Sequence, residues 1–506
     1  MLEYSDFIAY LLVAMKVLLI VVSVIFIISG LDDLFIDLYF IIRSFYRRWF
    51  VLPKHEPLSE KDLKSKPEQP IAVYLPAWDE SAVIRPMLEN TIKTLDYDNY
   101  YLFIGAYPND LATQEEVAKI SAKHKNVHCI VCPHDGPTNK ADCLNWINLG
   151  IRQFEKENNL HFNIFVMQDC EDVIHPLCYR IFNYLIPRKD MVQLPVLSLK
   201  TPWYQFTGGH YIDEFAQGHY KDIVVREHLN RSIPAAGTGC AFSRRAIDCV
   251  GDTNENQVFS LNSLTEDYDF GFRLKEHGFK QIFVKFSMKR DVTVKCFWTG
   301  KPKQKEIDEY VCIREYFPAK FGAAVKQKSR WVIGIVFQGW ANLGWKGGAS
   351  TKYMLFRDRK ALITNLANVL AYLIVFTIVG LWIFTSINPD AYHFPAILEK
   401  GSWLWYLILI NIVFLLTRIL LRAFCVQRLY GWQQAFLSFP RMIWGNVINF
   451  LATCRAIKLY VKYLVTGKSI AWDKTDHHYP TESELAAVSH SSPELSIKNM
   501  IKPQVS

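Results

Sequence analysis

Residues 164–172 read Ile164-Phe165-Val166-Met167-Gln168-Asp169-Cys170-Glu171-Asp172, a short apolar run that ends in a crowded acidic turn. Such a run, bounded by polar residues, predicts a strand buried on both faces. Three more runs of this type precede it, at Ile71–Leu75, Tyr101–Ala106 and Val127–Val131. Helix-like stretches at about 82–95, 113–123 and 140–155 lie between them. Strands alternating with helices predict an α/β fold, a mostly parallel sheet flanked by helices. In such sheets ligands bind beyond the carboxyl ends of the strands, where polar residues gather in this chain.

Asp169 and Glu171, one residue apart, can hold Mg2+ or Mn2+ through hard carboxylate oxygens, and Asp172 can substitute as a ligand. Without a cation, three acids at a buried strand end repel one another. Pro76, Asp79 and Glu80 follow the first strand and Asp110 the second, all placed to meet the base or ribose of a nucleotide. A helix N-terminus and a turn account for the same acids structurally. Lys140 opens a helix after Gly136-Pro137-Thr138-Asn139 and can neutralise a diphosphate there. Thr265-Glu266-Asp267 begins another helical run, with Thr265 as N-cap and Asp267 as a general base towards an acceptor hydroxyl. Last come Gln327, Arg330 and Trp331: a guanidinium for a departing diphosphate, and an indole face on which a sugar ring can stack.

The chain has 506 residues, half of them hydrophobic, a net charge of +8 and a mean hydropathy of +0.05. This balance suits an anionic partner such as membrane lipid. No zinc-finger spacing or RNA-recognition signature points to nucleic acid. The eleven cysteines are scattered. Cys129 and Cys132 fall on a strand, where positions three apart face opposite ways, so reduced thiols in a cytoplasmic compartment are expected.

Phe7 to Ser29, interrupted by Lys16, is long enough to cross a bilayer, as are about Ala361–Thr385 and Trp403–Thr417. Leu34–Phe50 and Ala435–Ala452 mix apolar with charged or amide residues and are expected at the interface, the latter as a re-entrant alternative. Lys and Arg collect at Arg43/Arg47/Arg48, Arg357/Arg359/Lys360 and Arg418/Arg422/Arg428, which places residues 31–360 and the C-terminus in the cytoplasm. The expected organisation has a span and interfacial helix at 1–52, a linker at 53–70 and a catalytic domain at 71–330. An interfacial connector follows at 331–360, then two spans and an interfacial helix at 361–452. Residues 453–506 form a cytoplasmic tail, polar and disordered from 481.

Asp110, Lys140, Asp169/Glu171, Thr265-Glu266-Asp267 and Gln327-x-x-Arg330-Trp331 together resemble glycosyltransferase family 2. The ending is similar to that of membrane-embedded processive synthases. Ser29-Gly30-Leu31-Asp32-Asp33, Ser263–Asp269, Gln327–Gln338 and Ala471-Trp472-Asp473-Lys474-Thr475 look closer to the bacterial phage adsorption protein B group of inner-membrane glycosyltransferases. The resemblance implies a GT-A domain in a multi-pass protein of the bacterial inner membrane, with its catalytic domain in the cytoplasm. It implies a metal-dependent, inverting transfer from a nucleotide sugar, UDP-linked, to a growing exopolysaccharide. In it Pro76, Asp79, Glu80, Asp110 and Lys140 bind the donor, and Asp169 and Glu171 hold the metal. Asp267, Glu266 and Arg330 serve catalysis, and Gln327 and Trp331 bind the acceptor. An N-acetylhexosamine is one sugar in view, although Gly237-Thr238-Gly239-Cys240, which looks like the sugar pocket, holds no carboxylate to select one. An export partner in the periplasm or outer membrane is also implied. Alternatives are a single transfer to a lipid phosphate carrier, or a non-catalytic receptor or export scaffold for phage adsorption.

Overall fold

The computed structural model describes residues 2–252, 257–295, 302–388, 397–468, 470 and 477–489. The stretch Ala471–Thr475 lies outside them. The four expected strands form as β1 (Ile71–Pro76), β2 (Tyr100–Ala106), β3 (Val127–Val131) and β4 (Ile164–Met167). Further strands are β5 (Val173–Ile174), β6 (Met191–Gln193), β7 (Val196–Ser198), β8 (Cys240–Ser243) and β9 (Gln281–Phe283). The last three are β10 (Ser287–Lys295), β11 (Pro302–Tyr310) and β12 (Ile313–Glu315).

The main sheet has the order β3-β2-β1-β4-β8-β6-β9. All its pairings are parallel except those of β8 with β4 and with β6. Alternate residues of β1 feed two separate cores: Ile71, Val73 and Leu75 on one face, Ala72 and Tyr74 on the other. That double burial explains why the strand reads as one unbroken apolar run. Because β8 runs backwards, its entry loop, Gly237–Gly239, reaches the same edge as the carboxyl ends of β1, β2 and β4. A smaller sheet, β5-β12-β7, sits beside that edge.

Three helices are long and apolar enough to cross a membrane, within Ala9–Lys54, Ala349–Ile387 and Trp403–Tyr430. The first departs from expectation: Leu34–Phe50 is no separate segment, because one α-helix runs unbroken from Leu2 to Tyr46. Asp32 and Asp33 do not end it, since both are neutralised by a neighbouring helix. Arg357 meets Asp32 at 2.5 Å and Lys360 meets Asp33 at 2.7 Å. Gly30 lets this helix approach closely, for a Cβ there would lie 2.4 Å from the Phe414 ring. Trp403–Thr417 is likewise part of a longer helix that ends at Tyr430, and Ala435–Ala452 lies inside the helix Trp432–Thr466.

The tail and linker also differ from expectation. Glu482–Ser489 is helical, so the tail is not disordered from 481. Tyr479 is buried in the first core and Tyr316 donates to Glu484 at 3.0 Å, which fastens this segment to the sheet domain. The linker holds a short helix, Glu60–Ser65, capped by Ser59, and Gln69 bonds to Asn183 at 2.9 Å.

Candidate active site

The sheet edge gathers the acidic turn, the helix that starts at Lys140 and the Thr265–Asp267 motif into one place. Lys140 Nζ lies 2.5 Å from Asp169 Oδ1. A Cβ on Gly237 would stand 2.8 Å from Asp267 Oδ2 and 3.4 Å from Lys140 Nζ. Asp267 and Lys140 therefore meet across a bare backbone, at a residue whose φ of +74° favours glycine. A Gly237→Val protein should fold yet lose most of its transfer activity, which a steady-state assay beside a circular dichroism spectrum would show.

Electrostatics follow from burial. Burial disfavours the Lys140 ammonium, but Asp169, Glu266 and Asp267 outweigh it and hold the charge above the usual lysine range. Burial raises Asp267 to about 6 against the pull of Lys140, and burial with the neighbouring Asp267 raises Glu266 to about 8. Both carboxyls are thus pushed above their usual range, and the Lys140 ammonium opposes the rise in each.

The acidic turn divides its labour. Asp172 Oδ2 accepts from the Asp169 amide at 2.8 Å and from the Thr238 hydroxyl, which ties the turn to the β8 entry loop. Its Oδ1 is buried without a hydrogen-bond partner among the described residues. Glu171 is buried as well. Its Oε2 is buried and has no hydrogen-bond partner among the described residues, and burial lifts its carboxyl to about 7. A buried carboxylate oxygen without a donor, one residue from a second carboxylate, suits a hard divalent cation. Among the described residues no three His, Cys, Asp or Glu side chains close a metal cage, so other oxygens must complete any coordination.

The donor-side acids are more committed than their sequence positions suggest. Asp110 caps the helix Leu111–Ser121, accepting from Thr113 N at 3.3 Å, and takes the Asp79 amide at 2.6 Å. Both its oxygens shape the turn in which Asp79 adopts a φ of +55°. The Glu80 amide donates to Thr113 at 3.0 Å. The Pro76 carbonyl faces the Cys170 thiol at 3.4 Å, joining β1 to the acidic turn.

Gln327, Arg330 and Trp331 occupy the helix Phe321–Trp331, which runs on into a wider turn, Val332–Gln338. That turn rests on the Asp267 motif: Gln338 accepts from the Leu264 amide at 2.8 Å, and a Cβ on Gly334 would lie 2.3 Å from Thr265 Oγ1. Trp331 is half-buried, edge-on to Tyr211 with ring centres 6.1 Å apart, and 6.2 Å from the ring of Phe215. Gln327 Oε1 is buried and has no hydrogen-bond partner among the described residues. Lys328 pairs with Glu214 and holds it ionised, down at about 2 despite burial.

Residues 164–387 match the family model of glycosyl transferase family group 2. Over 485 residues the chain is 42% identical to bacteriophage adsorption protein B of Escherichia coli K12 and to bacteriophage N4 adsorption protein B of Escherichia coli O157:H7. Each alignment takes in 94% of this chain and 64% of the relative, so the chain spans just under two thirds of those proteins. Residues 164–387 carry this family group 2 domain match. The fold is of the GT-A type. A mannosyltransferase from Pyrobaculum calidifontis, solved with GDP-mannose and Mn2+, is similar over 88% of this chain and 99% of its own, with a TM-score of 0.50 and 14% identity.

The structure also brings to this place a residue that the motifs do not contain. His477 Nδ1 lies 2.8 Å from Glu80 Oε1, and its Nε2 lies 3.2 Å from Glu171 Oε1. Burial opposes its charge, but Glu171 and Glu80 raise it to about 9. One imidazolium thus bridges the turns after β1 and β4. Its sequence signal was faint, a His-His pair in a polar tail more than two hundred residues from the domain's last catalytic acid. His477→Ala should raise the donor KM more than it lowers kcat, because both bridged carboxylates lose their common anchor.

Proposed function

We propose that the glycosyltransferase domain catalyses an inverting transfer from a nucleotide sugar, UDP-linked, to a growing exopolysaccharide at the inner membrane. The meeting of Asp267 and Lys140 across Gly237, beside Asp169, carries this reading. It puts a base, a phosphate-neutralising cation and a metal-binding carboxylate around one small space. Asp267 takes the proton of the acceptor hydroxyl as its oxygen bonds to the anomeric carbon. On the opposite face, the bond from that carbon to the diphosphate oxygen breaks. Lys140 and Arg330 receive the departing charge, Pro76, Asp79, Glu80 and Asp110 frame the nucleoside, and Gln327 and Trp331 seat the acceptor. Asp169 and Glu171 would hold Mg2+ or Mn2+, which when bound neutralises the diphosphate.

The three apolar helices, with basic residues at their shared ends, support a multi-pass membrane protein whose domain faces the cytoplasm. A partner in the periplasm or outer membrane would take the product outward.

The decisive experiment is a panel of UDP- and GDP-sugars on the purified full chain in lipid, scoring nucleotide release and product size with and without EDTA. Release that chelation abolishes and Mn2+ restores, together with polymer, is the expected result. Release without polymer selects the single transfer to a lipid phosphate; no release from any donor defeats the enzyme reading. The acid limb of kcat should have its midpoint near 6, with activity rising as pH passes upward through it, because Asp267 acts only when deprotonated.

A further inference from the structure

A group of basic side chains stands apart from the active site, where the first apolar helix meets the domain. Arg43 and Arg47 close that helix, and His228 and Arg231 face them from the end of the helix Ile223–Asn230. Lys285, between β9 and β10, completes the group beside Arg428. Burial and the nearby Arg428, Arg43 and Arg47 pull the Lys285 ammonium down to about 8. Burial with Arg43, Arg47 and Arg231 likewise lowers His228. Glu227 is the acid that faces Arg43 and Arg47, with Lys189 on its other side. Arg428 has its own acid, Asp308, at 3.4 Å. The cations outnumber the acids that meet them.

Geometry shows that the cluster is held in place. Tyr39 hydrogen-bonds His228, and their rings are 5.7 Å apart. Lys285 Nζ sits 3.7 Å from the centre of the Tyr220 ring, donates to the Tyr220 carbonyl at 3.3 Å and lies 5.9 Å from the centre of the Phe40 ring on the first helix. Arg43 Nε is buried and has no hydrogen-bond partner among the described residues. Around the group the surface is apolar and aromatic: Ile42, Phe45, Tyr46, Trp49 and Phe50 are all exposed, Trp49 by 70%. Tryptophan and tyrosine beside arginines at the end of an apolar helix mark the level of lipid headgroups.

We infer that Arg43, Arg47, His228 and Lys285 form a binding site for the phosphate of an anionic phospholipid headgroup. The exposed aromatics beside it cover the acyl chains of that lipid, which a free phosphate does not need. A lipid held there also braces the domain against the membrane, since Arg43 and Arg47 belong to the apolar helix whereas His228 and Lys285 belong to the domain.

The test uses the full chain in detergent, with native mass spectrometry reading retained phosphatidylglycerol against phosphatidylcholine. The wild type is expected to prefer phosphatidylglycerol. In the double variant Arg43→Gln/Arg47→Gln that preference should fall roughly 10- to 30-fold, the change that about 1 kcal/mol per lost cation produces. Arg43→Lys/Arg47→Lys should keep most of it, and a matching unfolding midpoint in neutral detergent shows that the Gln variant still folds. Equal retention of both lipids by the wild type would overturn the proposal, as would an unchanged preference in the Gln variant. Displacement of the lipid by millimolar inorganic phosphate would reassign the site to a free anion and overturn it equally.

Discussion

Asp267→Asn lowers kcat by roughly 100- to 10,000-fold, the range that a positioned general base contributes. Asparagine keeps the shape and still accepts the Tyr268 amide, which Asp267 Oδ1 takes at 2.8 Å, so the helix that begins at Glu266 is retained. What is lost is the carboxylate that faces Lys140 across Gly237. Donor KM should change little, because Lys140 keeps Asp169 as its closest partner. The acid limb near 6 should vanish with the base. Single-turnover kinetics on the purified chain in lipid measures all three effects. Near-normal kcat in a folded Asn protein would remove Asp267 from the chemistry and with it the transfer mechanism.

Arg441→Met destabilises the protein by about 3–5 kcal/mol, the usual consequence of removing one partner from a buried ion pair. Arg441 is 1% exposed and meets Asp213 through two bonds, at 3.0 and 2.7 Å. Its other donors reach the Gln434 side chain at 2.6 Å and the Gln434 carbonyl at 2.7 Å. Burial pushes Asp213 up to about 7 even with Arg441 beside it, so without the guanidinium this carboxyl is protonated or stranded. Gly209 makes room for the arginine, since a Cβ there would lie 2.7 Å from Arg441 Cδ. The contact joins the domain helix Phe206–Gln217 to the helix Trp432–Thr466, so its loss weakens the attachment of the two. The lowered midpoint should appear in thermal unfolding of the detergent-solubilised chain. The double variant Asp213→Leu/Arg441→Leu should recover most of the stability, because it leaves no buried charge behind. A single variant as stable as the wild type would show that the two helices are held by other contacts.

The parts of this protein legible in its sequence share one property, that each is decided within a few residues. The unbroken apolar runs of β1 to β4 follow from burial on both faces of a parallel sheet, and the acids after them follow from the rule that ligands sit at strand ends. Asp169, Glu171, Lys140 and Asp267 could be named for this reason, although their meeting across Gly237 could not. Apolar length likewise announced the three long helices, but not their ends. Whether a helix stops at Asp32 depends on whether Arg357 and Lys360, more than three hundred residues away, arrive to neutralise it.

Tertiary structure alone decided the rest. It turned Asp110 into a strut, because backbone amides reached both its oxygens. It brought His477 back from beyond the helix Trp432–Thr466 to bridge Glu80 and Glu171, and it set Arg441 against Asp213 in a buried contact that neither residue's neighbours foretell. Local sequence determined which groups can carry charge, span a bilayer or end a strand. Which of those charges remain available for chemistry was settled by long-range pairing, since a buried ion is defined by the partner that folding delivers to it.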